Sequence, residues 1–390
     1  MKRVYFDYNA TTPVAPEVLA AMLPYFSEEY GNASSIHTFG QDARGAVEQA
    51  RISVAALLGA RPAEVSFSSG GTESNNHAIF GAVAAAPGGA RHVITSAIEH
   101  SAVLDPCKAL AKRGVAVTVL PVDREGVVNP EDVRLAIRPE TVLISIMLAN
   151  NELGTLEPIA EIGKIAAEAG VMLHTDAVQA AGKVPIDVAG LGVHLLSISA
   201  HKFYGPKGVG ALYVRKGTRI EPLMYGGHSE RDQRPGTEDV AAIAGLGKAA
   251  DLAGMRMKEE AQRVSALRDR LEKGLLERIP YARVNGSRAG RTPNTTNLTL
   301  PFVEGESMVI ALDLKGIACS TGAACSSGAV EPSHVLTAIG LVPEDARATL
   351  RLSLGHQTTA EEIDFALHTI PAVIDRLRQM SPTYKKPINA

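Results

Sequence analysis

His194-Leu195-Leu196-Ser197-Ile198-Ser199-Ala200-His201-Lys202 is the stretch on which the reading of this chain turns. Its first part is apolar enough for a buried strand, it becomes polar at its end, and the glycine-rich run Tyr204 to Gly210 follows at once. Four other apolar runs end the same way, releasing Gly70-Gly71-Thr72, Glu99-His100, Asn150-Asn151-Glu152 and Asp176-Ala177-Val178-Gln179. In open α/β sheets, ligands sit at the carboxyl ends of the strands, so these five polar segments are expected to converge.

Working outward, Glu64 to Val214 holds seven short apolar runs: Val65-Ser66-Phe67, His92-Val93-Ile94, Val115 to Leu120, Val142 to Leu148, Val171 to His174, Leu195 to Ile198 and Gly210 to Val214. Helix-like stretches alternate with them, which predicts an α/β fold with a mostly parallel, mixed seven-stranded sheet and helices on both faces. Val142 to Leu148 is apolar almost throughout, as a strand covered on both faces should be. The expected large domain spans 13–260. From Gly245 to Leu276 the residues have helical periodicity and read as a long helix leading to a second unit. Residues 1–12 and 261–390 are expected to form a smaller α+β domain. Its elements would be strands at Thr296 to Leu300 and Leu350 to Leu354, a helix near Gly305 to Leu314 and a terminal helix from Ala360 to Met380.

Composition narrows the classes of function. With 390 residues, 45% hydrophobic and 21% charged, the chain reads as an ordinary folded protein. A net charge of −3 offers no basic field, so direct nucleic-acid binding is not expected. No apolar run is long enough to span a bilayer and Met1 to Asp7 lacks an apolar leader, which leads to a cytoplasmic expectation. The three cysteines, Cys107, Cys319 and Cys325, form no CxxC pair and their odd number leaves a free thiol. The histidines have no metal-ligand spacing, and no metal is expected.

The polar segments carry chemistry together. Ser68-Ser69-Gly70-Gly71-Thr72-Glu73 turns from strand to helix and reads either as an ordinary capped helix start or as a phosphate cradle of backbone N–H groups. Asp176 reads either as a helix cap or as a buried carboxylate in need of a cation, and a protonated pyridine nitrogen is such a cation. Gln179 would then reach the ring's phenolic oxygen. His100 is a structural histidine or one that stacks on the ring and moves protons. Lys202 can form a Schiff base once its amine is deprotonated, with Ser199 and His201 placed for phosphate beside it. Together these point to pyridoxal 5′-phosphate. Arg351, in the strand Leu350 to Leu354, needs a partner in a core, and a substrate carboxylate would serve as one. Cys325 lies among small residues, Ser320 to Gly328, on a loop expected at about 318–332 that would present a thiol. Cys319 reads as part of the strand leading into that loop.

With these residues in place, the chain closely resembles cysteine desulfurases of the NifS/IscS type, in the class V aminotransferase group with the fold type I pyridoxal phosphate architecture. The resemblance runs through Asp7-Tyr8-Asn9-Ala10-Thr11-Thr12, Gly31-Asn32-Ala33-Ser34-Ser35, Ser69 to Ser74, Asn150-Asn151-Glu152, His174 to Gln179, the Lys202 segment, Arg234-Pro235-Gly236-Thr237, the Cys325 loop and Glu331-Pro332-Ser333. It departs at Gly71, where alanine is frequent, and at Ala200, where glycine is frequent. The resemblance implies that Lys202 carries the cofactor covalently and His100 stacks on it. Asp176, Gln179 and Asn151 would contact the ring, while Gly71, Thr72, Ser199 and His201 would hold its phosphate. It further implies that Thr237 reaches the phosphate of a neighbouring subunit in a homodimer, and that Asn32, Asn151 and Arg351 hold the carboxylate of L-cysteine. Cys325 would take the sulfur as a persulfide, release L-alanine and pass the sulfur to an acceptor such as an iron–sulfur scaffold protein. A selenocysteine lyase, a small-substrate aminotransferase and a non-catalytic sulfur-relay protein are the alternatives, and the acceptor is left open.

Overall fold

The computed structural model describes residues 3–89, 91–321, 332–382 and 384. Its strands, in chain order, are β1 Val4–Tyr5, β2 Val65–Ser68, β3 His92–Ser96, β4 Ala116–Leu120, β5 Thr141–Ser145, β6 Met172–Asp176, β7 Leu195–Ser199, β8 Gly210–Val214, β9 Arg283–Asn285, β10 Thr295–Thr299, β11 Ile317–Ala318 and β12 Thr349–Ser353. β2 to β8 form the seven-stranded sheet foreseen from sequence, in the order β2-β8-β7-β6-β5-β3-β4. Only β8 opposes its neighbours in this sheet. Its first residue, Gly210, pairs with both Ser68 and Ser199, so the carboxyl ends of β2 and β7 lie beside it on one edge.

Both faces of the sheet are buried, as the apolar runs require. Ile94, Ile144, Leu173 and Leu196 pack with Val47 and Val54 of the helix Thr38–Leu58 and with Ile162 of the helix Ile159–Ala169. Their chain neighbours Val93, Leu143 and Leu195 point the other way, onto Ile79 and Val83 of the helix Gly71–Ala85 and Val103 of the helix Ser101–Ala111. β5 ends at Ser145, earlier than the apolar run suggests. Ile146 and Leu148 still donate to the carbonyls of His174 and Asp176, at 3.2 and 2.9 Å, so the chain stays tied to β6 while it turns off the sheet to deliver Asn150 to Glu152.

A second core gathers Val4, Phe6, Leu271, Leu275, Leu298, Leu350, Leu352, Ile363 and Ile370. It is built on an antiparallel sheet β12-β10-β9, the parallel pair β1-β11 and the helix Ala360–Met380, whose start is fixed by a reciprocal Thr359–Glu362 cap. The helix Val240–Arg278 serves both cores, placing Ala249 and Ala250 in the first and Val264, Leu271 and Leu275 in the second. It begins before the expected Gly245 because the Asp239 carboxylate caps it, accepting from the Ala242 N–H at 3.0 Å. No helix among the described residues is long and apolar enough to cross a membrane.

Glycine inside this helix is a packing device. A Cβ on Gly247 would stand 2.5 Å from the Ala50 Cα of the crossing helix, whereas one on exposed Gly254 would meet nothing within 4 Å. Gly247→Ala should therefore destabilise the fold by about 1–3 kcal/mol through overpacking. Gly254→Ala should stabilise it by about 0.5–1 kcal/mol by restricting the unfolded chain. Thermal or denaturant melts of the two variants check the opposite signs.

Candidate active site

The carboxyl edge of the large sheet opens into a cavity of about 310 Å³ lined by His100, Asn151, Asp176, Gln179, Lys202 and Arg351. A second cavity of about 410 Å³ adjoins it, and Gly71, Thr72, Ser199 and His201 line both. Most of these residues arrive at or just after a strand end, while Arg351 stands within β12. Lys202 closes the short turn after β7, and its Nζ donates to the carbonyls of Asn9 and Ala10 at 2.6 and 2.9 Å. Asp176 ends β6 and is buried; its Oδ2 accepts from Asn75 Nδ2 at 2.6 Å and its Oδ1 from the Val178 N–H at 2.9 Å. The helix Gly71–Ala85 starts without a side-chain cap, from Gly70 at φ 150°, a conformation glycine tolerates best. A Cβ on Gly71 would lie 2.6 Å from Val178 Cγ2, which explains why this chain has glycine there.

Burial dominates the electrostatics. It raises the Asp176 carboxyl above the usual range, against the pull of the Val178 and Asn75 hydrogen bonds and the His100 and Lys202 charges. His100 caps the helix Ser101–Ala111, its Nδ1 accepting the Ala102 N–H at 3.1 Å, so its neutral ring carries the proton on Nε2. Burial lowers its pKa, with Asp176 opposing and Lys202 reinforcing the shift. His201, whose Nδ1 is 3.1 Å from Thr11 Oγ1, is pushed down to about 4 by burial and by Lys202, Lys207 and Lys183.

Arg351, on β12, is buried among named partners: Nη2 donates to Asp7 Oδ1 at 2.7 Å and Nη1 to the Asn151 carbonyl at 3.1 Å. Its Nε is buried without a partner among the described residues. Asn32 and Thr237 do not join this group within one chain. They line a separate cavity of about 600 Å³ with Arg51 and Glu230, and Asn32 Oδ1 accepts from the N–H and Oγ of Ser34. Cys325 lies outside the described residues, as does most of the loop expected at about 318–332. Cys319, expected within the strand that leads into the loop, stands just after β11 and is buried, its thiol pushed up to about 12 by burial and by Asp7 and Asp313.

Several residues here carried no assigned role in the sequence reading. Asn9 is buried; its carbonyl also accepts from Gln179 Nε2 at 2.9 Å, while its Nδ2 donates to the Asn151 carbonyl and to Thr295 Oγ1. The Asp7–Thr12 motif contained it, but nothing local marks an asparagine as a hub. Asn75 was legible only as a poor helix former inside a helix, three residues after Thr72. Lys183 donates to Gln179 Oε1 at 2.7 Å, and burial with Lys202 and Arg351 nearby lowers its pKa to about 7.

A sequence profile described as Aminotransferase class-V matches residues 4–365. A cysteine desulfurase IscS of Dictyoglomus turgidum is 52% identical over 387 residues, covering 99% of this chain and 98% of that protein. Among solved structures, a NifS-like protein superposes with a TM-score of 0.90 at 38% identity, over 96% of this chain and 100% of the other. A structure titled SspA in complex with cysteine superposes with a TM-score of 0.80 at 39% identity, over 90% and 98% of the two chains. The chain belongs to the class V aminotransferase family.

Glu99, immediately before His100, gives a test of the buried electrostatics. Its Oε1 accepts from Ser96 Oγ at 2.6 Å and the Met147 N–H at 2.9 Å, Oε2 is buried without a partner among the described residues, and burial pushes its pKa up to about 8. A folded pKa above the ordinary 4.5 means that Glu99 favours the fold fully below pH 4.5 and that this contribution is lost as pH rises through 8. Glu99→Gln keeps the acceptor and cannot ionise. Its stability relative to wild type should rise across that window by about 3–5 kcal/mol, measured by denaturant melts at several pH values.

Proposed function

We propose that this chain is a cysteine desulfurase that uses pyridoxal 5′-phosphate to take sulfur from L-cysteine, giving L-alanine and a persulfide on Cys325 for transfer to an acceptor. The observation that supports it most is the company of Asp176. A buried carboxylate needs a cation, and Asp176 shares one cavity with Lys202, His100, Gln179 and Arg351. The residues fit the cofactor: Asp176 would pair with a protonated ring nitrogen, His100 would stack on the ring, and Gln179 and Asn151 would contact it. Gly71, Thr72, Ser199, neutral His201 and the uncapped helix start would hold the phosphate. When bound, the cofactor supplies an electron sink for the carbanion formed at the substrate Cα.

The chain's own groups do the rest. Lys202 would hold the cofactor covalently, and its free amine would take the Cα proton at Nζ. Arg351 binds the substrate carboxylate; its pairing with Asp7 fixes the guanidinium, and its Nε, without a partner among the described residues, is a further buried donor. The Cys325 thiolate attacks the substrate sulfur: an S–S bond forms, the C–S bond breaks, and protonation of the three-carbon remainder gives L-alanine. Sulfur then passes to an acceptor thiol, such as that of an iron–sulfur scaffold protein.

The same reading includes a homodimer in which Thr237 of the partner subunit completes the phosphate site. Two segments support it. Phe26, Tyr30, Ile36 (91% exposed) and Phe39 flank Asn32, and Leu223, Met224 and Tyr225 (83% exposed) precede the Thr237 segment.

Peptide mass spectrometry after brief exposure to L-cysteine without reductant tests the whole assignment. One added sulfur on the Cys325 peptide with release of L-alanine is expected, and an unmodified peptide in active protein overturns it. Cys325→Ser should keep the cofactor's colour and lose desulfuration, while Lys202→Ala should lose the absorption of the covalently held cofactor.

A further inference from the structure

Lys183 stands four residues after Gln179, half-buried, with its Nζ 2.7 Å from Gln179 Oε1 and 3.4 Å from Asn9 Oδ1. The direction of these bonds is forced. A lysine ammonium has only donors, so Oε1 must be the end of the Gln179 amide that faces it, and the Asn9 carbonyl can only accept, so Nε2 must donate to it. Asn9 is itself locked, with Nδ2 on the Asn151 carbonyl and Thr295 Oγ1 and Oδ1 accepting from Asn294 Nδ2 at 2.9 Å. One Gln179 amide hydrogen is thereby left for the cavity that Gln179 lines with Asp176, His100 and Lys202.

We propose that Lys183 is a positioning residue: its ammonium fixes the Gln179 amide so that an N–H faces the phenolic oxygen of the bound cofactor. This rests on the reading of the site given above. The alternative is that Lys183 acts only as one more positive charge beside Lys202 and Arg351. The two differ in whether Gln179 is needed. Donation from Gln179 favours the deprotonated phenolic oxygen, so losing it must raise the pH at which the cofactor's absorption changes.

The experiment is a pH titration of the visible absorption of holoenzyme reconstituted with pyridoxal 5′-phosphate, in wild type, Lys183→Met, Gln179→Met and the double variant. Lys183→Gln is a second probe, and circular dichroism confirms folding of each variant. The expected result is that Lys183→Met raises the midpoint by about half to one unit, a roughly three- to tenfold change in proton affinity, and adds nothing in the Gln179→Met background. An equal shift in both backgrounds means that the charge acts through space and overturns the proposal, as does an unshifted midpoint in Lys183→Met. Wild-type protein that takes up no cofactor absorption refutes the site reading itself, and the proposal falls with it.

Discussion

Much of the site depends on the hydrogen bonds around Asn9. This one residue ties Lys202 and Gln179, which follow β7 and β6, to Asn151, which follows β5, to Asn294 just before β10, and to Thr295 and Ser353 of the smaller sheet. Each such bond contributes about 1 kcal/mol net, but an unmade one strands a buried polar group at a cost of about 1–3 kcal/mol. The network therefore acts mainly by excluding other arrangements. It lets strand ends that start in different layers of the chain meet at fixed spacing, which is what a site assembled from five loops requires.

The same burial that fixes geometry also sorts the charges. Asp176 is raised by desolvation and Lys183 lowered by it, so neither keeps its ordinary affinity for protons in the protein alone. A cationic ring nitrogen beside Asp176 would reverse the penalty on that carboxylate, giving the proposed cofactor an electrostatic reason to bind. Arg351 shows another solution: one guanidinium nitrogen reaches a carboxylate, Asp7, and another a carbonyl, Asn151. That division leaves the planar group held in orientation before any substrate arrives.

The large sheet was legible in the sequence because strands buried on both faces write continuous apolar runs, and each run's polar terminus marked the site. His100, Asp176, Gln179 and Lys202 could be found in this way, and Arg351 because an arginine between leucines demands a partner. β1 and β9 were not found, since two or three residues cannot display a period. Asn9, Asn75 and Lys183 escaped because their roles are relations between distant segments, and an isolated polar residue does not carry its partner's address. The start of the long helix was misplaced at Gly245 because glycine reads locally as weakness, while Gly247 shows that here it permits helices to cross closely.

The cysteines show how far burial alone decides chemistry. Cys107 packs in the core against the sheet, and its thiol is pushed up to about 12 by desolvation and Glu99; Cys319 is pushed equally high by desolvation and by Asp7 and Asp313. A thiol in either place stays protonated at neutral pH and is a poor nucleophile. Neither thiol therefore suits an attack on a substrate sulfur, which needs a thiolate and which we propose for Cys325. Its neighbours Gly322 to Gly328 are all small, so they bring no bulky apolar side chain to bury it. A stretch of that composition suits the thiolate that the proposed reaction asks of Cys325.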